Sequence, residues 1–237
     1  MKKLFTVVTM LVVACLIISC DLSEASSQSS NVKGDLVKGG QLYDNWPQVS
    51  GVKTEGSHPL YPTTGKKQGG SSWRCKECHG WDYVGKDGRY AKGSHFTGIT
   101  GTLQASQTSP EKLYAVLTTG QHDFGQYMSE VDIQSLIKFV REGQVAFSKE
   151  AGDITNGQKI FDANCSSCHG EDGNNFDFNG KKDGIQGVGW LANDNPQESI
   201  HKYRWGHPNA DMPSMVVDAK LSEKQILDLL AYTQTLK

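Results

Sequence analysis

Two five-residue stretches limit what this chain can be: Cys75-Lys76-Glu77-Cys78-His79 and Cys165-Ser166-Ser167-Cys168-His169. Each reads C-x-x-C-H. Two thiols one helical turn apart meet the two vinyl groups of a single porphyrin and form thioethers, and the adjacent His points under the ring as an iron ligand. A lone C-x-x-C also suits a redox dithiol or half of a zinc site. Here both copies carry the His, both are followed by Gly, and no other Cys lies beyond residue 20. The pattern predicts two covalently bound c-type haems, attached at Cys75, Cys78, Cys165 and Cys168, with His79 and His169 on the irons. Composition agrees. Only 37% of the 237 residues are hydrophobic, little for a chain that must close two cores from side chains alone. A formal net charge of −2 lacks the basic excess of a nucleic-acid binder. The sequence carries no phosphate loop and no Ser/His/Asp arrangement, and the turns at Gly85-Lys86-Asp87-Gly88 and Gly170-Glu171-Asp172-Gly173 lack the carboxylate count of a calcium loop.

The N-terminus is read separately from the fold. Met1-Lys2-Lys3 precedes an apolar run from Leu4 through Ile18, short of the roughly 20 residues a membrane span needs. The run ends in Ile17-Ile18-Ser19-Cys20, which resembles the lipobox of bacterial lipoprotein signal peptides. That resemblance implies a cleaved signal peptide over 1–19 and a lipid on Cys20; an uncleaved anchor helix or an ordinary cleavage site are the alternatives. Residues 20–34 are Ser-rich and nearly free of large apolar groups, the composition of a flexible tether. The expected location is the periplasmic face of a bacterial membrane, the compartment side on which covalent haem attachment takes place.

With its paired motifs the rest of the chain resembles the class I c-type cytochrome family. The resemblance implies an all-α fold: two tandem cytochrome c domains with long loops, over 35–149 and 150–237. The second follows the family pattern closely. Asn156-Gly157-Gln158-Lys159-Ile160-Phe161 runs into Cys165, and Leu221-Ser222-Glu223-Lys224-Gln225 opens a helix carrying Ile226, Leu229, Leu230 and Tyr232. Ser222 and Gln225 form a capping-box pattern, and the apolar spacing is helical. In the family these two helices cross, which would set Gly157 and Phe161 against Leu229 and Tyr232. The family's distal iron ligand is a Met in the loop between them. Met212, in a Met-Pro step, is the candidate, and Met215 the alternative.

The first domain departs from the pattern. Gly39-Gly40-Gln41-Leu42-Tyr43 resembles the entry helix, but Cys75 lies 32 residues beyond Tyr43, so Pro47 to Arg74 reads as an insertion. Such long aperiodic insertions are usually functional or disordered. Trp73-Arg74 and Trp81-Asp82-Tyr83 flank the motif and are expected to wall the haem. Ser109-Pro110-Glu111 starts a helix, and a second starts at Ser129, with Asp132 three residues on. Aligning Ser129 with Ser222 puts Met128 beside the cap, where Leu221 stands in the second domain. Seven residues before Ser129 is His122, as Met215 is seven before Ser222. The distal ligand of the first haem is therefore His122, with Met128 as the alternative and His95, His58 or an open sixth position also in play.

The resemblance implies an electron carrier that exchanges single electrons with donor and acceptor proteins, tethered to the membrane through its lipid. A di-haem oxidoreductase is a second reading. Thiosulfate dehydrogenases are similar two-domain proteins, some with a Cys as distal ligand, and this chain has no spare Cys in its domains. An electron-entry subunit of a larger respiratory complex is the third.

Overall fold

The computed structural model describes residues 33–147, 150–178, 180 and 184–237. The signal peptide, Cys20 and most of the tether lie outside the described residues, and residues 148–149, at the drawn domain boundary, lie outside them too. Among the described residues the regular structure is helical, with one isolated bridge between Gly85 and Thr100. No described helix is long and apolar enough to cross a membrane.

The first half is built on α1 (Leu36–Val49), α2 (Cys75–His79), α3 (Pro110–Thr118) and α4 (Glu130–Lys138), which runs on through a π-helical turn to Gly143. The second holds α5 (Ile154–Asn164), α6 (Ser166–His169), α7 (Val188–Asp194), α8 (Pro196–Trp205) and α9 (Glu223–Thr233). Polar side chains start these helices as the sequence indicates. Ser129 accepts from Asp132 N–H, Ser109 caps α3 with Pro110 in the first turn, and Ser222 and Gln225 close a reciprocal capping box. Each such cap satisfies backbone donors left free by the helix and contributes about 1 kcal/mol.

Two crossed helix pairs carry the architecture: α1 on α4, and α5 on α9. Each crossing is made at a glycine. A Cβ on Gly39 would lie 2.1 Å from the Ser135 carbonyl oxygen, and one on Gly157 1.9 Å from that of Asp228. Gly157 thus meets the backbone of Asp228, with Tyr232 beside it, rather than the Leu229 side chain. Phe161 does pack on Tyr232, with ring centres 5.4 Å apart. The neighbouring Gly40 serves a different contact: a Cβ there would strike Trp205 of α8 at 2.4 Å. Paired glycines let one helix approach two others.

The inserted segment begins later than the sequence indicates. Pro47 lies inside α1, which bends at Asn45 (φ −153°, ψ 70°) and continues to Val49. The bend removes the clash that a mid-helix Pro makes with the preceding turn. From Val52 to Trp73 the chain is held by a polar web: Ser57 donates to Gln68, whose amide donates to the Gly65 carbonyl at 2.8 Å, and Ser72 accepts from His58 N–H at 2.8 Å. The insertion is ordered by hydrogen bonds rather than by periodic apolar contacts, which is why no periodicity announced it.

The two halves are joined by a buried polar seam. Asp44 of α1, with no exposed surface, pairs with Arg74 and with Lys202 of α8. His201, also buried, spans the seam. Its Nε2 lies 2.9 Å from the Gly40 carbonyl, which can only accept, so Nε2 carries the proton and Nδ1 accepts from Tyr83 O–H at 2.8 Å. Trp81 and Tyr83, expected as haem walls, face this seam: Trp81 packs 5.0 Å from the His201 ring, with the Lys202 ammonium over its face.

Candidate haem sites

The first motif is tied to α1 at both ends. Before it, the Trp73 carbonyl accepts from Trp46 Nε1 at 2.6 Å, and Arg74 Nε donates to the Asp44 carbonyl at 2.7 Å. After it, Gly80 turns the chain at φ +82°, where a side chain would be strained, and its carbonyl accepts from Tyr43 O–H at 2.7 Å. The two variable positions are buried: Lys76 and Glu77 pair with each other, and Glu77 also takes His95 Nδ1 at 3.0 Å.

His79 is oriented by a group far along the chain. Its Nδ1 donates to the Thr100 carbonyl at 2.7 Å, which leaves Nε2 bare, the arrangement that fixes a metal-ligating histidine. Burial is the main influence on its acidity and holds the imidazole neutral, at about 4. The ring of His122 stands 6.2 Å from that of His79, with the planes 30° apart. Burial lowers the His122 pKa and favours its neutral form, against the Val116 carbonyl, which raises it. Two imidazoles that hold one metal ion from opposite sides have ring centres about 6 Å apart, from about 2 Å of metal–nitrogen bond and about 1 Å to the ring centre on each side. The observed spacing fits a single iron between them. Met128 is 5% exposed and packs in the first core with Leu42, Trp46 and Phe124. His95 lies on the Tyr90 ring, 4.7 Å away. His58 accepts Leu60 N–H at Nδ1, 3.2 Å, so its Nε2 carries the proton and lacks the lone pair a metal needs.

In the second half α5 delivers Cys165 and α6 carries the rest of the motif, turning out at Gly170 (φ +85°). His169 Nδ1 is buried without a hydrogen-bond partner among the described residues. The rings of Phe176 and Phe178 stand edge-on to it, at 5.3 and 6.4 Å, yet are 50% and 45% exposed. Ile185 is 56% exposed. Two aromatic rings left open beside a half-buried imidazole form a cradle for a flat apolar ligand. Met215 is 3% exposed within the second core, its N–H held by the Tyr203 carbonyl at 2.9 Å, whereas Met212 is half-buried at the edge of that core.

The donor sets fit haem and not the alternatives. Burial pushes the Cys75, Cys78 and Cys165 thiols up to about 12, the reverse of the lowered thiol pKa that a redox dithiol uses. Among the described residues no group of three or more His, Cys, Asp or Glu side chains is placed to hold a metal ion. A structural zinc site needs four such ligands; haem iron brings four nitrogens of its own and asks the chain for one or two.

Residues 154–237 match the cytochrome c family. This stretch is a cytochrome c domain. A second similarity extends over more of the chain: the cbb3-type cytochrome c oxidase subunit FixP of Azorhizobium caulinodans is 30% identical over 113 residues, 48% of this chain and 37% of that protein. The chain thus spans little more than a third of that relative's length. A cytochrome c domain implies a covalent haem c, and Cys165-Ser166-Ser167-Cys168-His169 within it is a C-x-x-C-H sequence. Several groups that shape the sites carry no sequence signal: the carbonyl of Thr100 behind the His79 imidazole, and the seam residues Asp44, Lys202 and His201. Carbonyls are present at every residue, and Lys202 reads locally as one more surface charge.

Proposed function

We propose that the chain is a di-haem c-type cytochrome that passes single electrons between a donor and an acceptor protein. The observation that carries this reading is the spacing of the His79 and His122 rings, with His79 backed by the Thr100 carbonyl and its Nε2 bare. It supports a first iron held by His79 and His122; for a second iron, His169 and Met212 are the candidate ligands. A bound haem supplies the one-electron couple. The chain's own residues would attach it through thioethers at the four cysteines, and with His79, His122, His169 and Met212 as iron ligands no position would be left for a substrate, which favours electron transfer over catalysis. Imidazole stabilises ferric iron relative to a thioether, so the first centre is the lower in potential, and electrons run downhill from the first half to the cytochrome c domain.

The test is a redox titration with low-temperature spectroscopy. His122→Ala is expected to abolish the low-spin spectrum of the first centre and raise its potential, while Met128→Leu leaves both nearly intact. Each 59 mV of change is a tenfold change in the one-electron equilibrium. The reverse pattern would restore Met128 and remove the reason for an internal gradient.

The similarity to an oxidase subunit favours a second reading, in which the chain is the electron-entry subunit of a larger respiratory complex. Isolation of the protein in a complex with an oxidase, and electron delivery only within it, distinguishes the two. In either case we place the protein at the periplasmic face of a bacterial membrane, held by a lipid on Cys20. Cys20→Ser is expected to block lipid labelling and release the protein to the soluble fraction; unchanged labelling and fractionation would remove the anchor.

A further inference from the structure

The loop that carries Met212 rests on α1, a helix of the other half. Three side-chain hydrogen bonds tie its opening residues there: Gln41 donates to the Trp205 carbonyl at 3.3 Å, Gln48 donates to the Pro208 carbonyl at 3.3 Å, and Asn209 donates to the Gln48 carbonyl at 2.7 Å. Asn209 adopts a left-handed backbone, φ +52°, which Asn tolerates better than most residues with a side chain. The pinned stretch touches Met212 directly. A Cβ on Gly206 would lie 2.3 Å from the Met212 carbonyl oxygen, so the two backbones meet with no room for a side chain between them. At its far end the loop closes on α8, where the Ser214 hydroxyl donates to the Arg204 carbonyl. α1 is also the helix that holds the first motif, with Trp46 donating to the Trp73 carbonyl and Tyr43 to the Gly80 carbonyl. One helix thus braces the first motif and the loop of the second candidate distal ligand.

We infer that Gln48 and Asn209 are positioning residues for the second haem: by clamping the 205–209 turn to α1 they hold Met212 at the iron. The inference rests on the reading of Met212 as distal ligand. Loosening the clamp frees the loop and favours exchange of the thioether for an external ligand. In that exchange the bond from iron to the Met212 sulfur breaks, the sulfur keeps its lone pair, and a bond forms from iron to the incoming atom. No electron is transferred. Gln48 and Asn209 are both exposed, where substitutions usually cost the fold little, so an effect on ligation can be separated from one on stability.

Imidazole is the probe, added to the ferric full-length protein, and the methionine-to-iron charge-transfer band reads the second centre. Gln48→Ala opens the clamp from the α1 side. Asn209→Gly opens it from the loop side, since glycine adopts a positive φ without strain. Each should raise the imidazole affinity of the second centre about three- to tenfold, the scale of one hydrogen bond. The low-spin spectrum of the first centre and the denaturant midpoint should stay nearly unchanged. Gln48→Lys, which again offers a donor to the Pro208 carbonyl, should return the affinity toward the parent's. Unchanged affinity in Gln48→Ala and Asn209→Gly overturns the clamp, and a lowered midpoint beside that unchanged affinity makes the two residues purely structural. A rise with Asn209→Gly alone reflects the flexible glycine and overturns the part given to α1. Met212→Leu separates the two levels of the argument: a charge-transfer band that survives it removes Met212 as the ligand and this inference with it, whereas a band lost there with no shift in the clamp variants overturns the inference alone.

Discussion

Cys165→Ala combined with Cys168→Ala is expected to leave one covalently held haem per chain, and Cys75→Ala with Cys78→Ala to leave the other. The effect is all-or-none, because the thioethers are the only covalent attachment, and mass under denaturing conditions reads it directly. The loss should reach beyond the cofactor. In the cytochrome c domain Phe176 and Phe178, beside His169, stand about half exposed, and among the described residues the buried core is small, nine residues of which two are Ile160 and Phe161. With the porphyrin gone, that apolar surface meets water at a cost of about 25 cal/mol per Å². The variant lacking Cys165 and Cys168 should therefore lose the helical signal of α5 and α9 at lower temperature than the parent. Two haems retained under denaturing conditions by either double variant would end the di-haem assignment.

The chemistry of the sites was legible because it is local. C-x-x-C-H needs only its own helical turn. The caps at Ser109, Ser129 and Ser222 need only the three residues that follow them. Gly157 before Phe161 shows in sequence because a crossing needs a small residue on a fixed helical face. Proposing His122 required one long-range step, the alignment of two helix starts; its ring stands 6.2 Å from that of His79. What the sequence withheld is what forms between distant segments. Lys202 and Asp44 are 158 residues apart, and neither has a neighbour that marks it as buried. The insertion was opaque for another reason. It closes on side-chain-to-backbone hydrogen bonds from Ser57, Gln68 and Ser72, and such bonds leave no period in the sequence. Pro47 misled in the usual direction: a Pro in a helix normally marks its end, but the bend at Asn45 lets α1 continue.

Asp44→Ala should be the most damaging single change away from the haem sites. The carboxylate has no exposed surface and touches two cations, Arg74 beside the first motif and Lys202 on α8. The Lys202 side chain is itself only 9% exposed. Replacing both partners with apolar groups can be neutral, but removing one member of a buried set leaves uncompensated charge, typically at a cost of about 3–5 kcal/mol. Here two cations are stranded, so the upper part of that range is expected, measured as a shift of the denaturant midpoint. The same contact has an acid signature. Burial alone raises the Asp44 pKa, but Lys202 and Arg74 outweigh it and hold the carboxyl well below the usual carboxylate range. A group whose folded pKa is lowered stabilises the fold above its unfolded value of about 3.9 and loses that contribution as pH falls below it. The parent should therefore lose stability steeply below about pH 4, and Asp44→Ala should flatten part of that slope while lowering stability at neutral pH. Because Asp44 joins α1, the approach to Cys75 and the helix that carries His201, the variant should also loosen the seam between the halves. Protease cleavage near residues 144–153 at a rate equal to the parent's, together with an unchanged midpoint, would mean that the two halves do not depend on this ion triad for their union.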